Sequence, residues 1–241
     1  MGDALPRVLL GTGRKARQVG CGGQHACARL DDGTVKCWGD SLNGQLGLGD
    51  KVVRGDGPGE MGDALPAVAR GTGRTAVDLR VGFSHACARL DDGALKCWGY
   101  NDAGALGVGD KIDRGTAPGQ MGDALPAVDL GTGRSAIAVT LGINHSCALL
   151  DDATVKRWGG NNSGQLGLGD TMGRGGAPSH IPIAGHFFSR RGAEETPPSP
   201  RPSSRPRPPI GRGSASFTDS RRAVVQRRVA GALRTIGTPG V

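Results

Sequence analysis

A block of sixty residues occurs three times in this chain without insertion. The hexapeptide Met-Gly-Asp-Ala-Leu-Pro that begins at Met1 restarts at Met61 and Met121. At the same spacing His25, His85 and His145 align, as do Trp38, Trp98 and Trp158, and the glycines Gly44 and Gly47, Gly104 and Gly107, and Gly164 and Gly167. A fixed period of this kind means one supersecondary unit per copy, too small to bury its own apolar face and stable only when stacked on its neighbours. The copies run over 1–60, 61–120 and 121–178, and the phase is lost after Pro178.

The unit reads as all-β. With 44 glycines and 15 prolines the backbone turns often, and glycine in a helix interior costs about 1 kcal/mol. In the third copy four extended segments, Ala124 to Leu130, Ala136 to Leu141, His145 to Leu150 and Thr154 to Trp158, are separated by GTGR, GIN and DDA. Each has the usual strand length, and each break offers glycine or aspartate for a turn. Four short antiparallel strands per copy is the expectation. The tight turn is Asp31-Asp32-Gly33, then Asp91-Asp92-Gly93, but Ala153 replaces the glycine in the third copy. If the backbone keeps a positive φ there, that turn is the strained one.

Charge divides the chain. Residues 1–178 carry 19 Lys and Arg against 19 Asp and Glu, whereas 179–241 carry 11 Arg against 3 acids. The net charge of +8 therefore belongs to the tail, and the repeats have no electrostatic reason to bind nucleic acid. The tail is rich in Pro, Arg and Ser; it is expected to be mostly disordered, with a short helix over 220–236 and weak, non-specific anion binding. It reads either as a native appendage or as a frame-shifted translation of further repeats. No stretch approaches the roughly 18 apolar residues of a membrane span. The start in repeat phase suggests a fragment of a longer array, with an export signal upstream left open.

The order Gly22-x-x-His25, Trp38-Gly39, then Gly44-Gln45-Leu46-Gly47-Leu48-Gly49-Asp50 resembles the repeat of the regulator of chromosome condensation family. The third copy, WGGNNSGQLGLGD at 158–170, is nearest to it. The resemblance covers 1–178 and implies a β-propeller whose complete form has seven four-stranded blades. Arg29 and Arg89 depart from the aliphatic residue the family usually carries, and Ala105 replaces the glutamine. Three blades do not close a ring, since propellers have about four to eight. The expectation is an open arc that is either a fragment or completed by other chains.

The cysteines carry the most chemistry. Cys27 and Cys37 lie symmetrically about Asp32, and Cys87 and Cys97 about Asp92, so a hairpin turning at each aspartate sets the two thiols directly opposite one another. Opposed residues in antiparallel strands lie about 4.5 to 5.5 Å apart at Cα, within disulfide range. Two disulfides, and with them an oxidising compartment such as the cell envelope or medium of a bacterium, are expected; the alternative is reduced cysteines packed as small hydrophobes, in the cytoplasm. Arg157 leaves Cys147 single, and Cys21, aligned with Val81 and Leu141, is expected in the core.

Sharper readings of other residues are weighed against structural ones. His25, Cys27 and Cys37 suggest zinc, but the set does not recur in the third copy, so no metal is expected and the histidines read as buried hydrogen-bonding residues. The glycine strings recur in every copy, which fits turn geometry rather than a phosphate loop, so no cofactor is expected. Each tryptophan reads as a ring packed between sheets rather than a sugar platform. Arg54-Gly55-Asp56 is not kept in the other copies. No catalytic residue is identified. The chain is expected to be a non-enzymatic module for protein–protein interaction, with two alternatives implied by the resemblance: a guanine-nucleotide exchange factor for a small GTPase, or an inhibitor of a secreted enzyme such as a β-lactamase.

Overall fold

A computed structural model describes residues 2–177. The tail readings, including the helix expected over 220–236, lie outside the described residues.

Nine strands form three antiparallel sheets. The first contains β1 (Ala16–Cys21), β2 (His25–Leu30) and β3 (Val35–Gly39); the second β4 (Ala76–Val81), β5 (His85–Leu90) and β6 (Leu95–Gly99); the third β7 (Ala136–Leu141), β8 (His145–Leu150) and β9 (Val155–Gly159). The register is the same in each, with Cys27 opposite Cys37, Cys87 opposite Cys97 and Cys147 opposite Arg157. The aspartates set this register. Asp32 Oδ1 accepts the Thr34 N–H at 2.9 Å, Asp92 Oδ1 that of Ala94 at 3.0 Å, and Asp152 Oδ1 that of Thr154 at 3.0 Å. This local bond closes the turn before any ladder bond is needed. Gly33 and Gly93 take positive φ, and Ala153 is held at φ 63°.

The blades have three strands, not the four expected. The segment read as a leading strand, Ala124 to Leu130, forms a single bridge, Lys96 with Ala127, on the outer edge of the preceding sheet. Its Val128 N–H donates to Leu95 O at 2.8 Å, and Val68 N–H donates in the same way to Val35 O at 2.9 Å. Pro66 and Pro126 have no N–H to offer, so the ladder cannot extend through them, and proline is tolerated only at such an edge. The Met-Gly-Asp-Ala-Leu-Pro segments at Met61 and Met121 thus serve the blade before them, not the blade that follows them in sequence.

The apolar core lies between sheets rather than within one. Cys27, Val35, Cys37 and Leu46 of the first unit cluster with Val68, Leu79, Leu90 and Trp98 of the second. Cys97 and Leu106 of the second cluster with Val128, Val139, Leu150 and Trp158 of the third. A three-stranded sheet of five- and six-residue strands buries too little alone, so stacking supplies the stability.

Candidate functional site

Each joint between blades is built on a tryptophan and the glycine loop before it. Trp98 Nε1 donates to Gln45 O at 3.1 Å, and Trp158 Nε1 to Ala105 O at 2.8 Å. Gly47 lies under the Trp98 indole, where an added Cβ would stand 2.9 Å from Nε1, and Gly107 lies likewise under Trp158. Gly44 and Gly104 let the backbones at Gly115 and Gly175 approach, and both pairs of glycines have positive φ. In the third copy nothing described lies near Gly164, and Gly167 faces the Arg157 guanidinium instead of an indole. Trp98 and Trp158 are fully buried, which removes them as sugar platforms; Trp38 is half-buried.

The histidines sit at the same joints. His85 Nε2 lies 3.1 Å from Ser146 Oγ, which itself donates to Ala105 O at 2.8 Å. The single serine proton is therefore spent, and His85 Nε2–H is the donor. Ala86 stands where Ser146 stands in the third copy, so buried His25 has no hydrogen-bond partner on either ring nitrogen. Burial lowers the pKa of His25 to about 4 against the pull of Asp40, and burial likewise lowers that of His85 to about 4. His145 is half-buried.

Cys27 and Cys37 stand at disulfide distance, as do Cys87 and Cys97, each pair with a Cα–Cα separation of 4.1 Å. Cys147 is single, and burial pushes its thiol up. Cys21 corrects the expectation of a core residue: it is exposed, whereas its counterparts Val81 and Leu141 pack partly buried against the cores of the two joints. It borders a shallow depression of about 470 Å³ lined by Val81, Leu141, Phe83 and Ile143 and by glycines of the three β-turns at 22–23, 82–83 and 142–143. Phe83 and Ile143 project there with 53% and 64% exposure, the Phe83 ring lying against Gly23. A second groove of about 390 Å³ is polar, lined by Asp102, Lys111, Asn144, Asn161 and Gln165 among others. Among the described residues no three His, Cys, Asp or Glu side chains converge as a metal site would require.

The regulator of chromosome condensation (RCC1) repeat family matches residues 16–45, 76–105 and 136–165, each span opening at the first strand of a sheet. The chain carries three RCC1 repeats. Its relatives include the ultraviolet-B receptor UVR8 of Arabidopsis thaliana, 30% identical over 66% of this chain and 32% of that protein. They also include the probable E3 ubiquitin-protein ligase HERC3 of Homo sapiens, 32% identical over 68% of this chain and 14% of that protein. The chain thus spans a third or less of these relatives. Among solved structures, human WBSCR16 superposes with a TM-score of 0.52 at 22% identity, covering 73% of this chain and 40% of that one. Yeast RCC1 (Prp20) bound to Kap60 gives 0.51 at 19% identity, covering 70% of this chain and 37% of that one. These structures share the fold.

Several residues that hold the RCC1 repeats together escaped the sequence reading. Lys36 Nζ donates to Gly62 O at 2.7 Å and Lys96 Nζ to Gly122 O at 2.6 Å, from the middle of a strand. The Asp63 carboxylate accepts from the Thr12 N–H at 2.9 Å and the Thr12 hydroxyl at 2.5 Å, and Asp123 does the same for Thr72. These bonds lower the pKa of both aspartates, and they show that the first two GTGR loops hold a carboxylate of the chain itself. Asn101 and Asn161 are wholly buried and donate to Asp110 O and Asp170 O at 3.0 and 2.9 Å, fixing the glycine loops of the second and third units. The signal was there: a polar residue stands three places after each tryptophan, and a lysine two places before it.

Proposed function

We propose that the three RCC1 repeats form a non-catalytic scaffold that binds a protein partner through the row of turns carrying Phe83 and Ile143. The observation that carries this reading is how the chemistry-bearing side chains are distributed. The histidines and tryptophans of the inner joints are spent in packing, whereas Phe83 and Ile143 are held in the open on rigid turns. Exposed apolar side chains grouped on a stiff sheet scaffold are what a binding surface uses. The two cysteine pairs at disulfide distance support a reading in which they are oxidised and the protein works in an oxidising compartment.

The solved structure of Prp20p from Saccharomyces cerevisiae is described with its binding to Gsp1p and histones, which supports protein binding as the mode of action for such repeats. Nucleotide exchange on a small GTPase is a narrower reading that a nucleotide-release assay with the full chain decides. The main test is affinity capture with the full chain and with a Phe83→Asp/Ile143→Asp double variant. Both positions are exposed, so the urea midpoint should hold. Partners retained by the parent and lost by the variant support the proposal; a partner retained equally by both overturns this surface.

A further inference from the structure

The same joint occurs twice inside this chain, and its two halves lie open at opposite ends. The half that a following unit supplies consists of five recurring features. Asp63 and Asp123 cap the GTGR loop of the unit before; Gly62 O and Gly122 O accept its lysine; Val68 and Val128 bond its outer strand; Leu79 and Val139 fill the space between sheets; Trp98 and Trp158 dock on its glycine loop. The first copy carries every one of these residue types, as Asp3, Gly2, Val8, Val19 and Trp38. Here they serve no described neighbour: Val8 and Val19 are 55% and 66% exposed, and Leu5 is exposed where Leu65 and Leu125 are buried.

The receiving half lies open on the third copy. Val155 is 52% exposed where Val35 and Leu95 are buried, Gln165 is exposed where Gln45 and Ala105 are buried, and nothing described lies within 4 Å of a Cβ at Gly164. No described carbonyl receives Lys156, although it is as buried as Lys36. The approaching segment already has its docked shape. Gly2–Ala4 forms the same 3-10 turn as Gly122–Ala124, and the Leu5 N–H donates to Gly2 O at 3.2 Å as the Leu125 N–H does to Gly122 O at 3.3 Å.

We infer that the occupant of these faces is a second copy of this chain, docked head to tail. The first blade of one copy closes on the third blade of the other. By the pairings seen inside the chain, Asp3 caps Thr132, Gly2 O receives Lys156 Nζ, Val8 N–H bonds Val155 O, and the Trp38 indole donates to Gln165 O. The Arg157 side chain, held to Gly167 O only by a 3.5 Å contact, swings aside for the indole. The contact is heterologous, with strand addition at the outer edge and apolar filling beneath it. Two copies bring six blades together, within the range of about four to eight that closes a propeller. This inference is independent of the partner surface proposed above.

The test is the mass of the full chain by size-exclusion chromatography with light scattering, from about 1 to 100 µM. The expected result is a dimer that Val8→Asp or Val155→Asp weakens by roughly 30-fold or more, the effect of losing a central interface side chain. Both residues are exposed within one chain, so both variants should fold, as circular dichroism checks. Mixing the two variants should restore one joint and give a heterodimer, because each keeps the half the other has lost. A monomeric parent at 100 µM, which is also the outcome if residues 179–241 cover the third blade, overturns the inference. So does a dimer indifferent to both variants, or a mixture that stays monomeric.

Discussion

The first and second blades have nearly the same sequence and the same register, yet only the second has both faces covered. Leu79 in β4 is 3% exposed and Val19 at the matching place in β1 is 66% exposed; Trp98 is buried and bonded, whereas Trp38 is half-buried. Side-chain identity therefore does not decide burial in this molecule. What decides it is whether another unit's glycine loop and outer edge lie alongside, as expected when stability is a sum of unit and nearest-neighbour terms.

The sharpest way to break this comparison is to truncate both positions. Leu79→Ala should cost about 2 to 5 kcal/mol, as core leucine truncations do, while Val19→Ala should change stability by about 0.5 kcal/mol or less. The pair is to be measured by urea denaturation in a Val8→Asp background, where the end faces stay open. Equal losses would mean that Val19 is covered within a single chain. In the parent the gap should narrow, because the docked copy covers Val19.

The same comparison shows what could be read from sequence. The turns at Asp32, Asp92 and Asp152 follow from local chemistry, since each carboxylate bonds an N–H two residues on, and the strand register followed from them. The misread segment, Ala124 to Leu130, starts in a 3-10 turn and pairs only through a bridge at Ala127, whose partner lies in the previous unit, and periodicity cannot tell which side of a repeat boundary a segment joins. Cys21 was misplaced because it shares a column with apolar Val81 and Leu141, which pack partly buried against the joints, whereas no described blade covers β1 at Cys21. The buried roles of Lys36 and Asn101 were hidden because such residues are usually exposed, and only the carbonyls brought to them make burial affordable.

The cysteine pairs distinguish the first two blades from the third. Each pair closes a loop with a sequence separation of 10, so reduction should cost each of these blades slightly under about 3 kcal/mol. Arg157 faces Cys147 in the register that Cys37 and Cys97 take. Arg157→Cys should therefore form a third bond and lower the thiol titre of the denatured, unreduced protein from two, Cys21 and Cys147, to one. An unchanged Cys147 thiol in that variant would show that the third blade does not share the register.

Buried histidines give the first two blades a pH response. The pKa values of His25 and His85 are lowered to about 4 in the folded chain, below the roughly 6.5 of an unfolded histidine. The stability they permit is complete above pH ~6.5 and falls as pH drops toward 4, because the unfolded chain then binds protons that the folded one refuses. The slope is at most about 1.4 kcal/mol per pH unit for each histidine. Urea midpoints from pH 7 to 4.5 should fall accordingly, and less steeply for His25→Gln, which removes one titrating group without emptying its site. An identical slope in that variant would assign the response to other groups.

The smallest effect separates the three turns. Gly33 and Gly93 take their positive φ at little cost, whereas Ala153 at φ 63° sets its Cβ against the following carbonyl. A left-handed residue with a side chain costs about 1 to 2 kcal/mol, offset in part by the larger chain entropy a glycine loses on folding. Ala153→Gly should thus raise stability by about 1 kcal/mol, read as a higher urea midpoint with an unchanged slope. The reverse change, Gly93→Ala, should lower it by a similar amount. If both changes leave the midpoint where it was, the third turn is not strained and the Asp152 bond alone sets its shape.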